Sequence, residues 1–239
     1  MMPLFPNVAQ RRLQPEVMDQ PDLDAAEHCR ALHGLGRINN LSRSAGIFWG
    51  PLRQLAQQRA PRPLRILDLA SGGGDVAVSL WRKARRAGFD WKIEGWDVSP
   101  VAVDYARALA EHRGAEVPFH LRDALVDPIP PDYDAMIASL FLHHLDAATA
   151  TRLLHKMGQA TRHLVLINDL RRCAVGLLAA RLVTRLLTSS PVVHVDGPRS
   201  VEAAFTVAEA RQLAEDAGLT GATITRHWPF RYLLSWRRP

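Results

Sequence analysis

The sequence predicts an α/β fold with a doubly wound, mostly parallel sheet of seven strands and a group of helices ahead of it. Short apolar runs alternate with helix-like stretches from residue 64 to the C-terminus, a pattern typical of parallel strands joined by right-handed helical crossovers. The first run, 64–69, stops in Gly72, Gly73 and Gly74, and the second ends at Asp97. Parallel strands present such loops at one sheet edge, so a ligand crevice is expected there.

Composition fits one globular domain with an appendage. The chain has 239 residues, of which 47% are hydrophobic and 23% charged. The first residues lack the pattern of a cleaved leader, and no apolar run reaches the length of a membrane span, so we expect a cytoplasmic protein whose membrane contact is at most peripheral. Cys29 and Cys173 lack metal-ligand spacing, and no metal site is predicted.

The net charge of +6 and the pI near 10 favour a nucleic-acid partner only superficially. The lysines are Lys83, Lys92 and Lys156, and the arginines are scattered along the whole chain. The densest basic cluster, 82–86, falls at the end of a predicted helix, where cations suit the negative end of the helix dipole. A solvated helix end is the better interpretation, so nucleic acid is not the expected partner.

The chain before residue 61 is predicted to form a helical cap. Residues 1–15 lack periodicity and read as a loose leader, whereas 16–60 carry apolar residues at helical spacing. The polar residues of 37–44 either point into the site or form a solvated, helix-capping turn. Pro61 and Pro63 discourage helix continuation, which places the boundary of the core, 61–239, at this point.

The core then follows in order. Strands are predicted at 64–69, 91–96, 116–121, 133–138, 162–168, 221–226 and 229–236, and helices at 74–87, 100–112 and 147–160. Thr206 and Glu209 form a capping box that opens a further helix ending at Gly218.

The glycine loop and the acidic residue beyond it indicate a nucleotide-like ligand. Glycine lets a ligand lie against the main chain, and Asp97, a little over twenty residues later, can accept both hydroxyls of a ribose. Asp68 lies inside the end of the first strand, upstream of the glycines. The signature resembles the Asp/Glu-x-Gly-x-Gly-x-Gly motif of class I S-adenosylmethionine-dependent methyltransferases, with Ala70 at the first glycine. Alanine is tolerated there if the residue need not adopt positive φ.

The resemblance continues down the chain and implies a Rossmann-like fold with S-adenosylmethionine as cofactor. It implies that Asp68 contacts the methionyl ammonium and that Asp123 contacts the adenine amino group, although Asp123 could instead start a turn. The cofactor-binding residues it implies are Asp68, Ala70, Gly72, Gly74, Asp97, Val98, Asp123, Ala124 and Ser139.

The fourth strand indicates the acceptor. It lacks the Asn/Asp-Pro-Pro-Tyr tetrad of methyltransferases that act on amino groups, and the apolar stretch 139–142 takes its place. This resembles small-molecule enzymes acting on quinones, phenols and polyketides, so the expected partner is an apolar or aromatic small molecule, with methylation at a hydroxyl or an activated aromatic carbon. An RNA methyltransferase, a dehydrogenase-like nucleotide binder and a catalytically silent binding module remain open, as do a monomer and a homodimer.

The segment 170–200 is the expected insertion after the fifth strand. Within 170–190 the apolar stripe formed by Val175, Ala179, Leu182, Val183 and Leu186 predicts an amphipathic helix that covers the pocket as a lid, packs on the core or touches a membrane surface. Residues 191–200 read as a polar loop carrying His194 and Asp196, a candidate base and its orienting carboxylate. His143, after the fourth strand, is the competing catalytic residue.

Overall fold

The computed structural model describes residues 8–20 and 22–239, and residues 1–7 of the predicted leader lie outside the described residues. The elements follow in the order α1 Ala25–Leu41, α2 Ser44–Arg59, β1 Leu64–Leu69, α3 Asp75–Arg86, β2 Trp91–Asp97, α4 Pro100–His112, β3 Phe119–Leu121, β4 Ala135–Ser139, a 3-10 turn Leu142–His144, α5 Ala147–Ala160, β5 Leu164–Leu170, α6 Ala174–Leu187, α7 Pro191–Ala203, α8 Val207–Asp216, β6 Thr223–His227 and β7 Arg231–Arg237.

A seven-stranded sheet organises the described residues and confirms the predicted fold class. Its order is β3-β2-β1-β4-β5-β7-β6, with β7 antiparallel to both of its neighbours and the other pairings parallel. The connection reverses direction between β1 and β4, which lie side by side. The carboxyl ends of the central strands therefore meet at the switch point where α/β folds bind ligands.

Helices cover both faces of the sheet, and a separate hydrophobic cluster fills the space on each side. One cluster joins α2, α3 and α4 to the sheet, and the other joins α5 and α8 to the opposite face. The predicted caps are present: Ser99 accepts a hydrogen bond from the Ala102 amide at the start of α4, and Thr206 and Glu209 form the capping box of α8. Within the described residues, no helix is both long and apolar enough to cross a bilayer.

Residues 8–15 are held against the core, so for them the prediction of a loose leader is wrong. The Arg11 guanidinium donates to the carbonyl oxygens of His143 at 2.9 Å and Leu145 at 2.7 Å. It also lies over the Phe205 ring, 3.8 Å from the ring centroid. The Arg12 amide also donates to the Glu202 carbonyl oxygen at 3.0 Å, and Arg172 donates to the Val8 carbonyl oxygen at 3.0 Å, so long-range hydrogen bonds order a segment without periodicity.

Some residues of the polar stretch 37–44 are solvated, as one interpretation predicted, and others point inward. Arg37 and Asn40 are exposed, whereas Asn39 and Ser44 are buried beneath α1 and α2. The buried Arg231 guanidinium at the start of β7 donates to Ser44 Oγ at 2.6 Å and to Asn39 Oδ1 at 3.1 Å. The buried members therefore tie the N-terminal helices to the far end of the sheet.

Helix α6 turns its apolar stripe toward solvent. Val175, Leu182 and Leu186 are 54%, 61% and 72% exposed, while Gly176, Leu177 and Thr184 form the buried face. The interpretation that this stripe packs on the core is therefore wrong. Periodicity predicts that a stripe exists, but the buried face of α6 is a different one, on which Thr184 packs against Gly197 of α7 and Gly176 packs against Phe230.

The predicted loop 191–200 is also wrong, because these residues belong to α7. Ser190 caps the helix by accepting from the Val193 amide, and Pro191 occupies its first turn. A Cβ at Gly197 would lie 2.5 Å from Thr184 Cγ2, so glycine is needed where α7 crosses α6. Gly197 and Pro198 suggested a loop, but the contact with α6 stabilises a helix despite them.

Candidate functional site

A cavity of about 740 Å³ opens at the carboxyl edge of β1, β2 and β4 and is covered by α1 and by part of the segment before it. Eight of the nine predicted cofactor residues line it: Asp68, Ala70, Gly72, Asp97, Val98, Asp123, Ala124 and Ser139. Gly74 is the exception. A Cβ there would lie 2.5 Å from Phe119 Cζ, so this glycine permits packing at the start of α3 and does not line the cavity.

The glycine loop turns through left-handed backbone conformations. Gly72 has φ +52° and nothing within 4 Å of a Cβ placed on it, so any side chain there would enter open space at the loop. Ala70 also has φ +52°. The condition under which alanine replaces glycine without cost, a residue that need not adopt positive φ, is therefore not met, and the alanine carries a backbone strain of about 1–2 kcal/mol that glycine would not.

Asp97 holds the loop and faces the cavity at once. Its two oxygens accept from the Gly72 amide at 2.7 Å and the Ser99 amide at 2.9 Å. Burial raises the pKa of Asp97, while these two hydrogen bonds act in the opposite direction. Each carboxylate oxygen keeps a lone pair, so the side chain fits a ribose whose hydroxyls both donate.

Asp68 is the side chain of the site whose hydrogen-bonding capacity is least satisfied. It is 1% exposed, and neither of its oxygens has a hydrogen-bond partner among the residues that the structure describes. Burial raises the pKa of Asp68 well above its ordinary value, and the nearby charges of Asp75 and Asp97 add to the effect. An ammonium group placed against this carboxylate would supply both the missing donors and the missing charge, so the site fits the methionyl end of S-adenosylmethionine.

The loop after β3 forms the far wall of the cavity. Asp123 Oδ1 accepts from the Leu125 amide at 2.8 Å, so Asp123 does start a turn, and the same residue lines the cavity. Val98 is 68% exposed and Leu125 40% exposed, both on the cavity wall. Two apolar side chains beside a carboxylate suit a planar base that carries an amino group.

Ser139 ends β4 as part of a polar contact with β5. Its hydroxyl oxygen accepts from the Asn168 side-chain amide at 3.0 Å, and the next residue, Leu140, has φ +58°. The Leu140 amide donates to the Asn168 carbonyl oxygen at 2.8 Å. This geometry bends the chain sharply out of the sheet and directs residues 140 and 141 into the cavity wall.

The other end of the cavity is apolar, with a few titratable groups. Its lining includes Met18, Leu23, Leu35, Phe141 and Leu145, together with Asp19 and His144. Leu32 lies beside the glycine loop instead, 3.6 Å from a Cβ placed on Gly73, and His28 lies near the charge of Asp97. Such a wall suits an apolar acceptor that presents one polar atom. Most of these residues come from the segment before residue 60, which sequence periodicity did not connect to the site.

His144 is the imidazole that faces this acceptor end. Its Nδ1 lies 2.9 Å from Asp19 Oδ2, and its Nε2 lies 3.8 Å from Glu16 Oε2. Burial alone would lower the pKa of His144, but the hydrogen bond to Asp19 and the charge of Glu16 outweigh it and raise the pKa to about 9. At neutral pH the cavity is therefore lined by an imidazolium.

His143 lies behind His144 and does not line the cavity. It is 3% exposed, and its Nδ1 lies 2.6 Å from Asp169 Oδ1 at the end of β5. The charge of His143 and its hydrogen bond lower the pKa of Asp169 although burial acts in the opposite direction. Glu16, His143 and His144 bring one ligand atom each to within 4.8 Å of one another. The absence of a metal site remains a prediction.

The structure does not bring His194 and Asp196 together. His194 Nε2 lies 2.8 Å from the Thr188 carbonyl oxygen, and Asp196 accepts from the amides of Val17 and Met18 at 2.8 and 2.9 Å. The predicted base and carboxylate pair is therefore wrong as geometry, because two residues on a helix diverge by about 200°. Neither side chain lines the cavity, and Asp196 instead anchors the segment that covers it.

The sequence argument missed Glu16 and Asp19 and did not select His144, whereas Asn39, one of the polar residues of 37–44 that were predicted either to point into the site or to form a turn, does line the cavity. The tandem histidines and the acidic end of β5 were visible signals for the second half of the site. Asp19 had no local signal, because it reaches His144 across 125 residues.

Comparison with known proteins agrees with this geometry. Residues 66–163 match the family model described as a methyltransferase domain. A demethylmenaquinone methyltransferase from Thermus thermophilus is 40% identical over 105 residues, which are 43% of this chain and 45% of that relative. The chain thus aligns with less than half of this curated relative's length.

Solved structures extend the fold match to nearly the whole chain. An O-methyltransferase family 2 protein from Planctomyces limnophilus, in complex with apigenin, has a TM-score of 0.66 at 21% identity and covers 92% of this chain and 63% of that one. Magnesium protoporphyrin IX methyltransferase from Synechocystis, with bound S-adenosylhomocysteine, has a TM-score of 0.59 at 15% identity and covers 86% of both chains.

The fold and the cavity place a candidate ligand site at the switch point of an α/β sheet. Over residues 66–163 the chain is similar to methyltransferase domains.

Proposed function

We propose that the protein transfers the methyl group of S-adenosylmethionine to a hydroxyl oxygen or an activated aromatic carbon of a small, largely apolar molecule of the phenol, polyketide or quinone type. The buried Asp68 carboxylate carries this proposal, since it has no hydrogen-bond partner among the described residues and a cationic group at the glycine loop would supply one. The same cavity continues from Asp68 to the apolar wall and His144.

The residues divide the work by the two ends of the cavity. Asp97 and Asp123 hold the ribose and the adenine, and Asp68 fixes the ammonium, so that the cofactor is oriented toward the acceptor end. When bound, S-adenosylmethionine supplies an electrophilic methyl group. Alignment of the acceptor atom with that carbon then provides much of the rate, which is the task of the apolar wall formed by α1 and the 140–145 segment.

His144 acts on the acceptor oxygen. A phenolic hydroxyl has a pKa of about 10 in water, and an adjacent imidazolium lowers it by stabilising the anion. An acceptor oxygen placed beside this imidazolium is therefore held as its anion at neutral pH, with the positive charge of His144 stabilising it. Asp19 fixes the ring through Nδ1, and His143 with Asp169 supports the turn from behind.

The quinone and phenol classes are favoured by the curated relative and by one structural neighbour. The relative is named a demethylmenaquinone methyltransferase, and the neighbour was crystallised with apigenin. Both names describe aromatic acceptors with oxygen substituents. An RNA acceptor is less consistent with the cavity, because Asp19, Asp97 and Asp123 among its lining residues would repel phosphates.

Two measurements test the proposal. Titration calorimetry with S-adenosylhomocysteine beside NAD should show binding of the first alone. Incubation with isotope-labelled S-adenosylmethionine and a panel of hydroquinones, phenols and short RNAs should label the aromatic acceptors. Labelling of RNA alone, or binding of NAD in place of S-adenosylhomocysteine, would overturn it. Activity should survive treatment with EDTA, since no step here uses a metal ion.

A further inference from the structure

The exposed face of α6 is a continuous apolar stripe. Val175, Leu178, Leu182 and Leu186 recur at intervals of three and four residues, which places them on one side of the helix. They are 54%, 40%, 61% and 72% exposed. At a rise of 1.5 Å per residue the stripe is about 16 Å long.

The charged residues of α6 beside this stripe are all positive. Arg181 and Arg185 are exposed on α6, and no aspartate or glutamate occurs between residues 170 and 195. Arg172 does not belong to this group, since it is buried and bound to Glu209 at 2.7 Å. The face therefore combines exposed leucines with uncompensated cations.

A large aromatic side chain lies beside the same helix. The turn between β6 and β7 packs on the first turn of α6, where a Cβ at Gly176 would lie 3.3 Å from Phe230. In that turn Trp228 is 75% exposed. Tryptophan with an exposed indole is enriched where proteins meet the interfacial region of a bilayer.

We propose that α6 and the turn 228–230 dock on a bilayer containing anionic lipid, with α6 lying in the plane of the interface. Leucines on one side and arginines beside them are the composition of interfacial helices. A second copy of the chain fits this face less well. A two-fold interface would place the arginines of one α6 near those of the other, with no carboxylate on either helix.

Docking on a bilayer would bring the membrane close to the acceptor end of the cavity. The chain after α6 packs on α1, where a Cβ at Gly34 would lie 2.4 Å from Thr188 Oγ1. The same helix carries Leu35 of the cavity wall. Only one helix would then separate an apolar acceptor dissolved in the bilayer from the cavity. This consequence rests on the proposed function, whereas the docking itself does not.

Vesicle co-sedimentation tests the docking. The full chain should pellet with vesicles of phosphatidylglycerol and phosphatidylcholine in equal parts, less with phosphatidylcholine alone, and less again as salt is raised. The double variant Leu182→Ser and Leu186→Ser should lose at least tenfold in partitioning. Leu121→Ser, an exposed leucine on the edge strand at the opposite end of the sheet, is the matched control and should partition normally.

A second pair of variants separates specific docking from net charge. Arg181→Ser with Arg185→Ser should weaken binding to the anionic vesicles several-fold, and Arg53→Ser with Arg86→Ser, which removes the same charge from exposed sites elsewhere, should not. Equal loss in both pairs, or unchanged partitioning of the leucine variant, overturns the proposal. So does a dimer by light scattering that the leucine variant converts to monomer. S-adenosylhomocysteine calorimetry on the same variants shows separately whether the cofactor site is intact.

Discussion

The two ends of the cavity differ in how the chain builds them. The cofactor end is formed by loops at the ends of β1, β2 and β3, and each loop lies next to its own strand in sequence. The acceptor end joins Asp19 and α1 to the 141–145 turn, which comes a hundred or more residues later in the sequence. Local motifs therefore describe the first end, whereas only folding assembles the second. A mutation at one end should therefore impair the function of that end and leave the other end intact.

The largest expected effect is at the cofactor end. Gly72→Asp should weaken S-adenosylhomocysteine binding by at least 100-fold, because it places a charged side chain in the open space that the cofactor needs. Gly88→Asp is the control. Gly88 also has positive φ, +77°, and open surroundings, but it lies beyond α3, away from the cavity. Calorimetry should show loss in the first variant only. Equal affinities of the two variants would show that the glycine loop is not part of the binding site.

At the acceptor end, His144→Gln should lower kcat by roughly 10²-fold with S-adenosylhomocysteine affinity unchanged. The wild-type rate should fall above about pH 9, where the imidazolium loses its proton, and the variant should lack that alkaline limb. His194→Ala should keep near-normal turnover, since this side chain bonds to the Thr188 carbonyl. If His194→Ala instead lowered kcat more than His144→Gln, the catalytic role would belong to His194.

The same imidazole should make the free energy of unfolding depend on pH. Its folded pKa of about 9 lies above the ordinary 6.5, so the folded state binds the proton more tightly than the unfolded state. The resulting contribution to the free energy of unfolding is full below pH 6.5 and is lost as the pH rises through 9. Denaturant melts of the wild type and His144→Gln across this range check it. Parallel pH profiles would contradict the raised pKa.

The smallest effect concerns the strain in the glycine loop. Ala70→Gly should raise the free energy of unfolding by about 0.5–1 kcal/mol, because relief of the left-handed strain exceeds the entropy that glycine adds to the unfolded chain. Ala87→Gly, at φ −92°, should be neutral or destabilising. Urea denaturation of both variants gives the comparison. A destabilised Ala70→Gly would mean that the methyl group packs more favourably than its conformation costs.

Two amphipathic segments show where sequence reasoning stops. The α3 stretch was predicted as a helix at 74–87, and its apolar residues Val76, Leu80 and Ala84 are buried. The α6 pattern predicted a helix as well, but its stripe lies outward. Periodicity reports that one side of a helix is apolar. Which surface covers that side depends on neighbours that are distant in sequence.

The sequence by itself determined the succession of strands and helices along the core, the glycine loop and the placement of Asp68, Asp97 and Asp123 at one sheet edge, because each lies at the end of its own strand and parallel strands end at a common edge. Tertiary structure alone decided that Asp19 meets His144, that Asp196 turns away from His194, that residues 191–203 are helical and that Ala70 adopts positive φ. These features depend on contacts between segments far apart in the chain, or on the exact path of a loop, and neither is encoded in local periodicity or residue spacing.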